Sequence, residues 1–243
     1  MYKNLYDTFA HWFHDGRGTV YFYSDPHFND KEQASLRKNY IGDEEQIKRI
    51  NSKIGKYDTL VILGDVGDIE WVKKIRGYKV LVMGNHDKGA TNYKRIKYSY
   101  VYYEEEYTYE QLLLEMKNNF PHHNISIKLE DFPENNFWIV EIDNGLFDEV
   151  YEGALMIAPN IILSHEPIDF PYAVCFSGHN HANNNSSPNI INFCAEHINY
   201  TPVALKDIIN SGVLKNVSSI HRETIDKAIK RKEEKKQYDN SKN

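Results

Sequence analysis

Five short apolar runs in this chain each end in a turn that carries Asp, Asn or His. Val20-Tyr21-Phe22-Tyr23 runs into Ser24-Asp25-Pro26-His27, and Thr59-Leu60-Val61-Ile62-Leu63 into Gly64-Asp65-Val66-Gly67-Asp68. Lys79-Val80-Leu81-Val82-Met83 leads to Gly84-Asn85-His86-Asp87. Ile161-Ile162-Leu163 leads to Ser164-His165-Glu166-Pro167, and Ala173-Val174-Cys175-Phe176 to Ser177-Gly178-His179-Asn180-His181. Continuous apolar runs of this length, bounded by turn residues, mark strands buried on both faces. In open α/β sheets, ligands gather at the carboxyl ends of the strands. One polar turn means little, since Asp and Gly are ordinary turn residues. Five such strand ends predict one pocket crowded with oxygen and nitrogen donors.

Such crowding needs a cation to offset the repulsion. Asp25, His27, Asp65, Asn85, His165, His179 and His181 are seven candidate ligands. The mix of imidazole, amide and carboxylate suits borderline divalent metals such as Mn, Fe, Co, Ni or Zn. One ion would not use all seven. Two ions about 3.5–4 Å apart, bridged by a carboxylate and a hydroxide, would use them. A pair of that kind activates the bridging water and clamps the oxygens of an in-line displacement at phosphorus.

The order of the motifs, D-x-H, G-D-x-x-D, G-N-H-D, S-H-x-P and G-H-x-H, resembles the calcineurin-like metallophosphoesterase superfamily. The opening Asp25-Pro26-His27-Phe28 is similar to the "DTHF" of small bacterial and phage phosphoesterases. Those relatives continue with Gly-His where this chain has Asn29-Asp30. The resemblance implies a metallo-dependent phosphatase-like fold, a four-layer αββα sandwich of two mixed β-sheets flanked by helices. It also implies two divalent ions, with Mn²⁺ the first expectation. Asp25, His27, Asp65 and His181 would hold one ion. Asp65, Asn85, His165 and His179 would hold the other, with Asp65 bridging. His86 would stand over the site, bind the phosphoryl oxygen and protonate the leaving group. Asp87 would orient the His86 imidazole, and Asp68 would support the ligands from behind. Asn85, His86 and Lys88 are candidate substrate contacts.

The implied activity is two-metal phosphoester hydrolysis, by a phosphodiesterase or phosphatase on small nucleotide-like or other modest phosphoesters. A nuclease is the alternative, and a non-catalytic metal-bound scaffold the third. The net charge of −6 argues against an electrostatic grip on duplex nucleic acid. A scaffold should have lost ligands or the G-N-H-D histidine, and this chain has lost neither. Two cysteines, Cys175 and Cys194, make no disulfide framework. No stretch is long and apolar enough to span a membrane, and the N-terminus lacks a signal-peptide pattern. These features predict a cytoplasmic protein; no motif sets its oligomeric state.

The 243 residues are expected to form one metallophosphoesterase domain over residues 1–221, with a charged helix or tail at 222–243. Tyr2, Leu5, Tyr6, Phe9, Trp12 and Phe13 have helical spacing and predict a short helix laid against the sandwich. A helix over 43–54 is expected to bury Ile47, Ile50 and Ile54, with Asp43 as N-cap and Gln46 in the capping-box position. A second helix is expected over 69–76. Alternating strands and helices over 20–83 predict right-handed βαβ units. Residues 93–144, rich in Tyr and Glu, read as an insertion that either packs beside the sandwich or caps the site. Thr108 is placed to cap a helix running to Phe120, with Gln111 in the box position. Strands are expected at 137–142, at 154–157 and 160–163 as a hairpin across Pro159, and at 190–193, giving a more antiparallel second sheet. A helix over 205–210 and a charged one from 216 complete the chain. From Arg222 onward the net charge is +3, leaving −9 for the rest.

Overall fold

A computed structural model describes residues 5–87, 92–133, 135–181, 187–218 and 220–240. Two sheets face each other. The first has the order β12-β1-β2-β3-β7, and the second β11-β10-β9-β8. In the first sheet, β1 (Val20–Tyr23), β2 (Thr59–Ile62), β3 (Tyr78–Val82) and β7 (Glu149–Tyr151) run parallel. β12 (Val203–Ala204) adds an antiparallel edge against β1.

The inner faces make one core. Val20, Phe22, Val61, Leu63, Val80 and Val82 meet Ile157, Ile161, Leu163, Val174 and Phe176 of the second sheet. The alternate residues Tyr23, Leu60, Ile62 and Leu81 face outward onto Ile47, Ile50 and Ile54 of α2 (Asp43–Lys53). Each such aliphatic side chain contributes about 1.5–3 kcal/mol when fully buried. That is why these strands read as unbroken apolar runs.

The expected N-terminal helix is a kinked 3-10 segment, Asp7–Gly16, with His14 and Asp15 in the left-handed region. Its Phe9, Trp12 and Phe13 are buried as expected, whereas Tyr6 is exposed; Tyr2 lies outside the described residues. α2 begins at Asp43 but is capped by Gly42, whose φ of 81° suits a glycine. No capping box forms there. Asp43 instead accepts from the Asn29 N–H at 2.9 Å and the Tyr40 hydroxyl at 2.6 Å. Gln46 turns inward, accepting from the Tyr23 hydroxyl at 2.9 Å and donating to the Pro26 carbonyl at 3.3 Å. The α1 helix (Lys31–Leu36) is capped by Asp30, which accepts from the Gln33 N–H. Residues Ile69–Lys74 form a 3-10 turn rather than an α-helix.

The second sheet differs from the expected meander. β8 (Leu155–Ala158) and β9 (Ile161–Leu163) do form the antiparallel hairpin across Pro159. However, β10 (Val174–Ser177) pairs in parallel with both β9 and β11 (Ile190–Asn192). A parallel neighbour needs a long crossover, and the polar stretch 178–189 supplies it. The chain after β11 then lies beside the end of β1, where the Ala195 N–H donates to the Ser24 carbonyl at 3.0 Å. α4 (Leu205–Asn210) buries Leu205 and Ile208 in the main core. α5 (Ile220–Asn240) is exposed from Ile220 to Gln237 except at half-buried Glu223, as its charged composition predicts.

Residues 97–143 build a third sheet, order β4-β6-β5, all antiparallel. Its strands are β4 (Lys97–Tyr103), β5 (Asn124–Asp131) and β6 (Asn136–Asp143). α3 (Tyr109–Asn119) starts with the full Thr108–Gln111 capping box. Leu112 and Met116 of α3 pack on Val140 and Ile142 to give this unit its own small core. It is tied to the main body at the entry of β3. Arg95 pairs with Asp143 and Asp148, Lys79 donates to the Gly145 carbonyl at 2.7 Å, and Lys73 donates to the His122 carbonyl at 2.9 Å. The ligand turns lie at the other end of β3.

Candidate metal centre

β1, β2 and β3 run parallel and end at the same edge, which brings Asp25, Asp65 and Asn85 together. The ends of β9 and β10 bring His165, His179 and His181 to the same place. Two compact groups result, Asp25–His27–His181 and Asp65–His165–His179, with candidate donor atoms within 4.8 Å of one another in each. Asp65 lies between them. Its Oδ2 is 3.6 Å from His27 Nε2 and 3.3 Å from His165 Nε2.

The backbone is bent to achieve this. Asp25, His27, Asp65 and His179 have φ of 54°, 45°, 53° and 67°. Few non-glycine residues adopt this region, and Asp, Asn and His tolerate it best. Each instance costs on the order of 1 kcal/mol. The neighbouring strand ends hold the strain, since the Asp25 N–H donates to the Gly64 carbonyl at 3.0 Å and the His27 N–H to the Asp65 carbonyl at 3.1 Å. Two glycines give the carboxylates room. A Cβ on Gly84 would come within 2.2 Å of Asp65 Oδ1, and one on Gly178 within 2.0 Å of Asp25 Oδ2.

The donor set fits a cation. Asp25 Oδ2 accepts from the Ser24 hydroxyl, from the His179 N–H at 3.0 Å and from the Cys194 thiol at 3.3 Å. Asp25 Oδ1 and His27 Nε2 are buried and make no hydrogen bond, although Asp25 Oδ1 stands 3.3 Å from His181 Nε2 and 3.8 Å from His27 Nε2. Buried polar atoms are otherwise almost always hydrogen-bonded. His165 Nδ1 lies 2.8 Å from the Leu63 carbonyl, which assigns the proton to Nδ1 and a lone pair to Nε2. That Nε2 faces Asn85 Oδ1 at 2.8 Å and His179 Nδ1 at 3.2 Å. With the imidazoles neutral these donor atoms crowd one another, and a divalent ion bound by each group would relieve the repulsion.

The same geometry sets the proton affinities. Burial alone would lower the His165 pKa, but Asp65 and Asp25 push it up to about 9. Burial likewise opposes protonation of His181, which Asp25 and Glu196 raise to about 9. Burial would raise the Asp25 carboxyl, yet the imidazoles of His181 and His27 beside it hold it well below the ordinary range. Asp65 is lowered against its own burial by His165. With no ion bound, protonated imidazoles thus offset the charged carboxylates, and a divalent ion would take over that role by displacing the protons.

His86 stands at the mouth. Its side chain is 59% exposed, with Nε2 4.0 Å from Asp65 Oδ2. Its N–H donates to Asp65 Oδ1 at 2.9 Å. Asp87 does not orient the His86 imidazole as expected. It is buried, and its carboxylate accepts from the main-chain N–H groups of Asp65 at 2.8 Å, Val66 at 3.1 Å and Gly84 at 2.9 Å. Three donors that converge on one carboxylate draw it inward, beneath the ligand turns. Asp68 likewise supports the loop rather than a ligand side chain. It caps the 3-10 turn by accepting from Glu70 N–H at 3.0 Å, and accepts from the Asn29 amide at 3.2 Å. Lys88 lies outside the described residues.

Three residues at the site were not among the sequence candidates. Asp30 Oδ2 lies 3.5 Å from His27 Nδ1, and Glu196 Oε1 lies 2.7 Å from His181 Nδ1. Buried Arg37 donates to the Asp25 carbonyl at 2.6 Å. Asp30 lies three residues after His27, close to the first motif, so its position was a signal. Arg37 and Glu196 lie outside every motif, and only the fold brings them in.

A mixed-sheet α/β sandwich with paired His/Asp groups at its strand ends defines a metal-dependent phosphoester hydrolase in general terms. The chain belongs to the calcineurin-like phosphoesterase family, whose model matches residues 18–184. No curated protein matches the sequence. One solved structure, the protein of unknown function AQ665 from Aquifex aeolicus, is similar at 20% identity and a TM-score of 0.47, over 79% of this chain and 98% of that one. Among the described residues, no helix is long and apolar enough to cross a membrane.

Proposed function

We propose that the protein is a phosphodiesterase or phosphatase acting on small, nucleotide-like or other modest phosphoesters. The observation that carries this reading is the placement of exposed His86 beside Asp65 Oδ2, the atom that stands 3.6 Å from His27 of one His/Asp group and 3.3 Å from His165 of the other. Asp25, His27, Asp65 and His181 would hold one divalent ion, and Asp65, Asn85, His165 and His179 the other. When bound, such a pair supplies Lewis acidity and an ionised water at neutral pH. The protein's own contribution is positional. Asp87 and Gly84 keep Asp65 aimed into the site, and Gly178 leaves room for Asp25. Asp25 Oδ1 and the bare imidazole nitrogens of His27 and His165 are held in place before substrate arrives. His86 faces solvent, where an incoming phosphoryl group must enter, and can donate to its oxygen and then to the leaving group.

Charge supports a small substrate over a polymer. Residues 97–143 carry three Lys and ten Asp or Glu, and the whole chain is at −6. A long polyanion gains affinity through neutralised phosphates, which a net charge of −6 opposes.

The test compares bis-p-nitrophenyl phosphate with p-nitrophenyl phosphate, with added Mn²⁺ and with chelator. Activity should need metal and should fall by about 10²–10⁴-fold in His86→Ala, with both metal equivalents still bound. Asp65→Asn should lose activity and metal together. Two bound metals with neither ester cleaved would reject the hydrolase reading.

A further inference from the structure

The two halves of the metal centre are built differently. On the Asp25 side, Glu196 Oε1 backs His181 Nδ1 by a hydrogen bond at 2.7 Å, and Asp30 Oδ2 stands farther off, 3.5 Å from His27 Nδ1. On the other side, His165 is backed only by the neutral Leu63 carbonyl, Asn85 is an uncharged amide and His179 is exposed. Asp25 and His27 are almost fully buried.

Arg37 joins the first half together. Its side chain is 2% exposed. Nη2 donates to the Asp25 carbonyl at 2.6 Å, while Nε faces Glu196 Oε2 at 3.8 Å. One guanidinium therefore holds the main chain of one candidate ligand by a hydrogen bond and attracts, as a longer ion pair without a hydrogen bond, the carboxylate that orients another. Glu196 reaches this place because its segment runs beside the end of β1, through the Ser24–Cys194 bridge.

A carboxylate on the far nitrogen of a ligating imidazole fixes its tautomer, holds the ring in position and makes the near nitrogen a better donor. Loss of such a partner typically weakens metal binding about 10- to 100-fold. We infer that Glu196, braced by Arg37, makes the Asp25–His27–His181 half the tight, first-filled metal position, and the Asp65–Asn85–His165–His179 half the weaker, exchangeable one. Glu196 and Arg37 are positioning residues, acting through His181 and Asp25. The inference rests on the two-metal reading given above.

Calorimetric titration of chelator-stripped full-length protein with Mn²⁺ tests it, with circular dichroism to check folding. Wild type should take up two equivalents in two classes separated by tenfold or more in affinity. Glu196→Ala should weaken the tight class by about 10- to 100-fold and leave the weak class in place. Glu196→Gln, which keeps an acceptor but not the charge, should lie between them. Arg37→Met should shift the tight class in the same direction. His179→Ala should remove the weak class only. Glu196→Ala with an unchanged tight class would overturn the inference. So would loss of the tight class in His179→Ala, or two equal classes in wild type. Wild type that binds no metal at all would instead reject the reading on which the inference rests.

Discussion

The carboxylate of Asp87 holds the main-chain N–H of Asp65 at 2.8 Å, across a separation of 22 residues. It also binds the N–H groups of Val66 and Gly84. The last residue of one motif therefore fixes the turn of another. This places Asp87 beneath the ligands, as an anchor for the loop that presents Asp65.

The consequence is measurable. Asp87→Ala would leave three main-chain donors without a partner at a buried position. A hydrogen bond to a charged group is worth about 1.5–3 kcal/mol, so urea unfolding should show a loss on the order of 3 kcal/mol or more. Metal binding should weaken too, because Asp65 is released. His86→Ala, at an exposed position, should change stability by no more than about 0.5 kcal/mol. Asp87→Ala with wild-type stability and a changed pH–rate profile would instead return Asp87 to the role of orienting the imidazole.

Metal removal should act on stability as well as on activity. Asp25, His27, Asp65 and His179 sit in strained backbone, and Asp25 Oδ1 and His27 Nε2 are buried and make no hydrogen bond. A ligand that binds only the folded chain stabilises it by about 2.7 kcal/mol at a hundred times its dissociation constant. In a protein of this size that raises Tm by about 5–10 °C. Scanning calorimetry with Mn²⁺ and with chelator should show a shift of that size. Equal midpoints would mean that the group holds its geometry without a cation.

The site was legible because its residues lie where buried strands stop. An apolar run followed by Asp65 or Asn85 carries the strand, its exit and its chemistry in one stretch of sequence. Asp87 could not be placed this way, since an Asp beside a His looks like its partner whether the side chain turns toward it or toward the loop below. Glu196 and Arg37 lie far from the motifs and carry no local signal. The insertion was legible in part. The Thr108–Gln111 box marks α3 directly. The strand signal of β5 is the alternation of Ile125, Ile127 and Leu129 with Ser126, Lys128 and Glu130, and that of β4 the run of β-favouring tyrosines. The unusual Tyr and Glu content of the stretch obscures both. The parallel course of β11 was invisible locally, because a long polar connection serves a loop or a crossover equally well.

Lys79 should give the protein an alkaline stability signature. Its ammonium group is buried at the root of the insertion, where it donates to the Gly145 carbonyl at 2.7 Å and to the Ile75 carbonyl at 3.3 Å. Burial lowers its pKa from 10.5 to about 8, against the opposing pull of Asp148 and Asp143. Between about pH 8 and 10.5 the unfolded chain therefore keeps a proton that the folded chain has released. Stability rises with pH wherever the unfolded state binds more protons. The contribution is fully present above 10.5 and is lost as pH falls through 8. Each pH unit inside that window is worth about 1.4 kcal/mol. From pH 8 to 10 the wild type should gain on the order of 2 kcal/mol relative to Lys79→Met, which cannot titrate there. Other groups that ionise over this range are common to both proteins and cancel in the comparison. Urea unfolding of the two chains at pH 7, 8, 9 and 10 reads the difference. Parallel curves would show that Lys79 keeps an ordinary pKa in the folded protein, and that its two carbonyl partners fully offset its burial.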